Sequence, residues 1–396
     1  MSIKDKNIVL GVTGGIAAYK SCELTRLLIK AGASVHVIMT SGAAEFVTPL
    51  TFQTLSRKPV HTDLFSLTQE AEVGHISLAD RADLFVIAPA TANIIGKIAN
   101  GIADDLLTTS VMATKAPVLL APAMNCNMYD NPIVQDNMNR LKRYGYHFID
   151  SETGELACGY EGKGRMAEPG DIMEEIEAIL SPKDLKGERI VVTAGPTCEA
   201  IDPVRFIGNR SSGKMGYALA RMALRRGAEV ILISGPSSLM PPKGTRFVPV
   251  ESAEDMRNAV TVNLKDATIV IMAAAVADYR PVNAASEKIK KGAGSMSLDL
   301  EKTEDIISEV GRKKGKRLII GFAAETDNLL ANAKKKLKEK NLDLIVANNV
   351  KEPGAGFGVD TNIVTIIDKN GVVEALPKMS KDEVAWKVLD RVTALK

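Results

Sequence analysis

No apolar run in this chain approaches the roughly 18 residues that a membrane-spanning helix requires; the longest lies within TIVIMAAAVA, residues 268–277. The N-terminal stretch KDKNIVLGV lacks a secretory h-region with a cleavage site. A cytoplasmic chain is expected. There is no charge surplus either, since 50 Lys+Arg stand against 48 Asp+Glu for a net charge of +2. Nucleic-acid binders carry a strongly one-signed field, so nucleic acid is not an expected partner. Cysteine is scarce: Cys22, Cys126, Cys158 and Cys198 show neither CxxC spacing nor clustering, which excludes a disulfide framework and leaves free thiols. Aromatics make up only 4% of an otherwise ordinary α/β composition, 45% hydrophobic and 25% charged. Finally, GxGxxG is missing from both halves, and with it the case for an NAD-dependent dehydrogenase.

What is present is one grammar written twice. NIVLGVTGGIAAYKSCELTRLLIKAGASVHVIM, from Asn7, runs from a short apolar stretch through glycines into a helical period and a second apolar stretch. From Ile190, IVVTAGPTCEAIDPVRFIGNRSSGKMG followed by helical spacing and AEVILIS repeats it. Apolar runs alternating with helical patterns imply βαβ units and parallel sheets. The length exceeds the roughly 250–300 residues at which a single core stops growing. The expected fold class is therefore α/β, two Rossmann-like domains with mainly parallel sheets: residues 1–180, a linker at SPKDLKGE, 181–188, and residues 189–396.

Ligands of open parallel sheets sit beyond the carboxyl ends of the strands. In the first half those ends carry Gly14 and Gly15, Thr40, Thr91 and Asn93, and Asn125. Gly14 and Gly15 can leave backbone N–H groups open to a phosphate at a helix start; a tight turn without ligand is the alternative. Asn125 reads equally as a helix cap, and His75 as a structural histidine. Cys158 lies in the glycine-rich GELACGYEGKGRMAEPG, which reads as a lid carrying a thiol. Asp104 and Asp105 read as capping or surface acids. In the second half, Ser211, Ser212 and Gly213 precede a helix beside Lys214, again a phosphate cradle or a plain helix start. Lys336 and Lys340 share a helix face, Lys288 and Lys290 alternate in an extended stretch, and such point charges suit a triphosphate. Asp278 closes MAAAVAD at a carboxyl edge, where an acid meets Mg²⁺ or a ribose hydroxyl.

On VTGGIAAYK, PATAN, ANGIADDLL, APAMNCNM and ACGYEGKGRM, residues 5–180 resemble the flavin-containing cysteine decarboxylases, specifically those acting on phosphopantothenoylcysteine. The resemblance implies a flavodoxin-like first domain holding FMN, oxidation of the cysteinyl CH₂–SH carbon to a thioaldehyde, loss of CO₂ and re-reduction. It implies that Asn125 holds the departing carboxylate, His75 assists proton transfer, and Cys158 protonates the enethiol. On TAGPTCEAIDPVRFIGNRSSGKMG, AAAVADYRP, EKIKK and GFAAET, residues 187–395 resemble the CTP-using phosphopantothenate-cysteine ligases. That implies an acyl-cytidylate route to phosphopantothenoylcysteine, Asn209 on the acyl side and Lys288 at the amine step. Asp278, Phe322, Lys336 and Lys340 then contact CTP, with Ser211, Ser212, Gly213 and Ala274 lining its site and Mg²⁺ at Asp278. Thr303–Asp305 stands where that family commonly has Asn-Pro-Asp, which puts a phosphate contact there in doubt. The resemblance also implies a homo-oligomer, decarboxylase trimers joined through ligase dimers into a dodecamer. A non-catalytic flavin-binding subunit and a flavin decarboxylase of peptidyl cysteine are the alternatives.

Overall fold

A computed structural model describes residues 3–64, 74–155, 161–290, 296–325, 327–349, 352, 354, 356 and 358–396. The chain divides into two compact units, Met1–Ser181 and Pro182–Lys396.

The first unit is built on six parallel strands: β1 (Asn7–Val12), β2 (Ser34–Met39), β3 (Val60–His61), β4 (Leu84–Ala90), β5 (Val118–Pro122) and β6 (His147–Phe148). Their spatial order is 3-2-1-4-5-6, the Rossmann order; without the two-residue edge strand β3 it becomes the flavodoxin order. Strand β4, LFVIAPA, is buried along its whole length, as a parallel strand covered on both faces must be. Helices supply that cover. Helix α1 (Ala18–Lys30) turns Leu24 and Leu28 inward beside Ile172 and Ile176 of the helix Pro169–Leu180. On the other face Ile94, Ile95 and Ile98 of the helix Ala92–Ala99 pack with Leu141. A two-stranded antiparallel hairpin, β7 (Glu152–Glu155) and β8 (Glu161–Arg165), follows β6.

The second unit repeats the plan with an eight-stranded sheet. In spatial order its strands are Arg246–Pro249, Glu229–Ser234, Arg189–Ala194, Ile269–Met272, Leu318–Glu325, Leu344–Asn349, Val364–Asp368 and Val373–Ala375. The first six are mutually parallel; the seventh pairs antiparallel with the sixth, and the eighth antiparallel with the seventh. The helices Lys214–Arg225 and Lys381–Ala394 cover one face, packing with Ile190 and Val192. The helices Ala253–Asn263, Ile306–Arg312 and Leu329–Glu339 cover the other, packing with Val191. Within the stretch expected as a linker, Leu185 is fully buried in this core and Asp184 accepts from Arg226 at 2.9 and 2.5 Å. Those residues are an edge of the second unit rather than a free tether.

Candidate functional sites

In both units the order of strands reverses beside the first strand, and a cavity opens there at the carboxyl edge, as expected of open α/β sheets. The cavity of the first unit measures about 830 Å³ and brings together Gly14, Gly15, Thr40, Thr91, Asn93 and Asn125. Gly14 is fixed by sterics, since a Cβ there would stand 2.9 Å from the carbonyl carbon of Gly42. Gly15 has room for a Cβ, and its N–H donates to the Thr13 carbonyl at 2.9 Å. That N–H is therefore engaged within the turn instead of standing open to an anion as expected. The Thr13 hydroxyl donates to the Pro89 carbonyl at 2.7 Å, tying the ends of β1 and β4 together beneath the cavity.

Three of these polar residues are helix caps as well as cavity lining. Thr40 Oγ1 accepts from the N–H of Ala43 at 3.3 Å, and Thr91 Oγ1 from Ile94 at 3.4 Å. Asn125 Oδ1 accepts from Asn127 at 2.9 Å. That last bond orients the amide: its carbonyl end belongs to the turn Cys126–Tyr129, and its NH₂ end is the opposite one. The helix-cap reading of Asn125 and the binding reading are thus compatible. Asp105 caps the helix Leu106–Ala113 in a capping box with Thr108, while Asp104 accepts from Lys97 at 2.7 Å, as read from sequence. Cys22, Cys126 and Cys198 are free thiols. His75 lies on the helix Gly74–Arg81, but its side chain, like all of Cys158, lies outside the described residues.

Two features of this cavity were not anticipated. Lys20 is almost buried, 5% exposed, and its Nζ donates to the Met166 carbonyl at 3.1 Å and to Glu168 at 2.8 Å. The bond from Lys20, with that from Arg165, holds the Glu168 carboxyl below the usual range against the opposing effect of burial. A long cation inside a small-residue helix pattern was the available signal. The second is the reason for the glycines of the expected lid. Gly164 sits at φ +141°, and a Cβ there would overlap the Met124 carbonyl oxygen. Gly162 faces Cys126 at a Cβ distance of 2.8 Å. In the described part, β8, glycine serves close packing against 124–126, which the Met124 N–H secures by donating to the Gly164 carbonyl at 3.0 Å.

The cavity of the second unit measures about 670 Å³ and gathers Asn209, Ser211, Ser212, Gly213, Ala274, Asp278, Phe322, Lys336 and Lys340. Lys288 does not line it; Lys288 is exposed on the stretch that Asp202 and Arg205 hold through Ile289. Gly213 is the cap of the helix Lys214–Arg225 at φ +78°, a left-handed position that only glycine takes without strain. Gly216 brings that helix against the strand before it, since a Cβ would stand 2.5 Å from Ala194 Cβ. Asn209 Nδ2 donates to the carbonyls of Val276 and Ala275, at 2.8 and 3.3 Å. Lys336 pairs with Glu325 at 2.7 Å and Lys340 with Asp305 at 2.9 Å. Burial pushes the Asp305 carboxyl up, but bonds from Lys340 and Ser308 outweigh it and hold the group low. Asp305, the one residue of Thr303–Asp305 that agrees with Asn-Pro-Asp, thus supplies a carboxylate to a cavity lysine. Asp278 is exposed, and no group of three or more His, Cys, Asp or Glu side chains suited to a metal occurs among the described residues. Lys381, Asn348 and Asn362 also line this cavity; nothing in their local sequence marks them.

The flavoprotein family model matches residues 1–181, and the model of the DNA/pantothenate metabolism flavoprotein C-terminal domain matches residues 185–395. The chain is 54% identical over 397 residues to the coenzyme A biosynthesis bifunctional protein CoaBC of Bacillus subtilis, covering 99% of this chain and 98% of that one. The chain belongs to the coenzyme A biosynthesis bifunctional family. The CoaBC protein of Vibrio cholerae is 47% identical over 391 residues, 98% of each chain. Among solved structures, the crystal structure of a CoaBC C-terminal domain is 47% identical, with a TM-score of 0.47, covering 54% of this chain and 97% of that one. Among the described residues no helix is long and apolar enough to cross a membrane.

Proposed function

We propose that the two cavities serve consecutive steps of coenzyme A biosynthesis. In the second unit, phosphopantothenate and cysteine are joined at the expense of CTP through an acyl-cytidylate. In the first, phosphopantothenoylcysteine is decarboxylated to phosphopantetheine on FMN. The observation that supports this reading is the same in both halves: a cavity at the switch point of a parallel sheet, rimmed by helix starts and small residues.

The first cavity fits a flavin mononucleotide in size and character. Its volume lies in the range of cofactor sites, and the caps Thr40 and Thr91 open helices at its rim. When bound, FMN supplies a reversible two-electron oxidation of the cysteinyl CH₂–SH carbon. The residues do the rest. The close approach of Gly14 to Gly42 keeps the rim free of side chains. The NH₂ end of Asn125 holds the substrate carboxylate, and docking of β8 on 124–126 fixes that amide in place. Cys158 supplies the proton that completes the product, and His75 assists proton transfer.

In the second unit, Lys336 and Lys340, with Asp278 and Phe322, hold the nucleotide. Ser211, Ser212, Gly213 and Ala274 line its phosphates, and Asn209 orients the acyl group. Asp278 would be the protein ligand of a Mg²⁺ ion held otherwise by the nucleotide's phosphates, since that ion commonly takes one or two carboxylates plus phosphates. Lys288 acts at the amine step from the exposed stretch beside the cavity. Decarboxylase trimers joined through ligase dimers are the assembly, and the chain works in the cytoplasm.

A double dissociation tests these assignments. Asn125→Asp, which places a carboxylate against the substrate carboxylate, abolishes CO₂ release from phosphopantothenoylcysteine and leaves pyrophosphate release from CTP intact. Asn209→Asp does the reverse. Loss of both products in either variant, or of neither, contradicts the assignment.

A further inference from the structure

One carboxylate of the second unit is fully buried outside the lining of the cavity. The side chain of Asp202 has no solvent exposure, and four N–H groups converge on it. Its Oδ1 accepts from the backbone N–H groups of Val204 and Arg205, both at 2.8 Å. Those bonds close the turn between the antiparallel strands Cys198–Ala200 and Phe206–Gly208. Its Oδ2 accepts from Arg205 Nη1 at 2.6 Å and, across 87 residues of chain, from the N–H of Ile289 at 3.1 Å.

The two oxygens differ in what they require. A turn of this kind needs one acceptor, and Asn or Ser supplies it as well as Asp does. The second oxygen is what calls for a carboxylate, since Oδ2 faces donors only and the amide nitrogen of Asn would oppose them. A carboxylate taken out of water is costly unless its lone pairs are filled, and the N–H of Ile289 is one of the groups that fill them. Two further bonds tie the same segments: the Ala285 N–H donates to the Ile201 carbonyl at 2.9 Å, and Arg205 Nη1 to the Ile289 carbonyl at 3.1 Å.

The N–H that Asp202 holds belongs to the peptide group directly following Lys288. Lys288 is exposed and its four-carbon stem is flexible, so what the fold can set is the point from which that stem starts. The same turn leads through Phe206–Gly208 to Asn209, whose Nδ2 is fixed on the carbonyls of Ala275 and Val276. One frame thus carries the residue that orients the acyl group and the residue that acts when the amine attacks. Resting on that reading of Lys288, we propose that Asp202 is a positioning residue for the amine step. It acts through the backbone at Lys288 and leaves activation of the acid by CTP untouched.

The test separates the two stages in the full chain. Pyrophosphate released from CTP and phosphopantothenate before cysteine is added reports acyl-cytidylate formation; CMP released on adding cysteine reports the amine step. Asp202→Asn keeps the acceptor of the turn and sets an NH₂ against the N–H of Ile289. The amine step is expected to slow by about 10- to 100-fold, as for a group misplaced by near 1 Å, with the pyrophosphate burst within about twofold of the parent. Hydrogen exchange over 285–290 should accelerate while the strand Leu344–Asn349 keeps its protection, the mark of a local release. In a Lys288→Met background the same substitution should cost less than about twofold, because the two residues act as one unit. If Asp202→Asn fails to fold, Asp202→Ser, which keeps one acceptor for the turn and buries no opposing amide, carries the same expectations. Equal slowing of both stages, or a loss as large without Lys288 as with it, overturns the proposal in favour of a turn that only supports the fold. So does an amine step as fast as the parent's. An amine step that Lys288→Met leaves unchanged overturns the reading of Lys288 instead, and a parent chain without a pyrophosphate burst overturns the ligase reading; either removes this inference with it.

Discussion

Gly164→Ala probes how the first site is held. The residue sits at φ +141°, a region that side chains rarely adopt, and the added Cβ would overlap the Met124 carbonyl oxygen. Strain of this kind costs about 1–3 kcal/mol. The bond from the Met124 N–H to the Gly164 carbonyl, 3.0 Å long, contributes about 1 kcal/mol more. Relief requires β8 to move away from 124–126, and Asn125 moves with that segment. The loss of about 2–4 kcal/mol corresponds to a fall of roughly 4–16 °C in melting of a unit of this size, at about 2–4 °C per kcal/mol. A displacement near 1 Å of a positioning group lowers turnover by about 100-fold. Release of CO₂ from phosphopantothenoylcysteine reports the damage, and pyrophosphate release from CTP is the internal control, expected unchanged. CO₂ release within twofold of the parent together with unchanged melting would refute the view that docking of β8 positions Asn125.

Three further outcomes are expected. Burial, with the charges of Lys58, Arg81 and His61, lowers the His36 pKa from 6.5 to about 4, so between those values the unfolded chain binds the proton and the folded one does not. Its stability contribution is full above pH 6.5 and is lost as pH falls towards 4, by at most about 3 kcal/mol; urea denaturation of His36→Gln should show that slope flattened, and an unchanged slope contradicts the cause given. Glu309, bonded to Lys313 and Arg257, is lowered from 4.5 to about 2, so its contribution is present above pH 4.5 and disappears as pH falls towards 2. Glu309→Gln should lower stability by about 1 kcal/mol at neutral pH, and a variant as stable as the parent by denaturant midpoint speaks against it. Gly213→Ala forces a side chain into a left-handed cap, 3.3 Å from the Gly195 nitrogen and Ser237 Oγ, at about 1–2 kcal/mol. Its ligase rate should drop about tenfold with CO₂ release unaltered, and a ligase rate equal to the parent's contradicts a cradle shaped by that cap.

The repeated strand, glycine turn and helix were legible because each is local: IVV and LFVIAPA are apolar without interruption, the pattern of a parallel strand buried on both faces. Polar residues at strand ends were legible for the same reason, and Thr40, Thr91, Asn93 and Asn125 converge on one cavity. Long-range packing was not. Nothing near Gly164 announces the Met124 carbonyl forty residues earlier, so its glycine reads as freedom when it is close approach. Nor does anything around Lys381, at the start of an ordinary capped helix, point to a cavity built from residues 209–216 and 272–279. Lys288 is the opposite case: its basic run stands out in sequence, yet in space it is exposed on the stretch held through Ile289 by Asp202 and does not line the cavity.

The most direct measurement is the stoichiometry of the whole chain at work. Purified protein reconstituted with FMN is given phosphopantothenate, cysteine, CTP and Mg²⁺, and pyrophosphate, CO₂ and phosphopantetheine are quantified together. The account predicts the three in a ratio of 1:1:1 after the intermediate has reached its steady level. Pyrophosphate without CO₂, CO₂ without dependence on CTP, or neither product would contradict two cavities working in sequence.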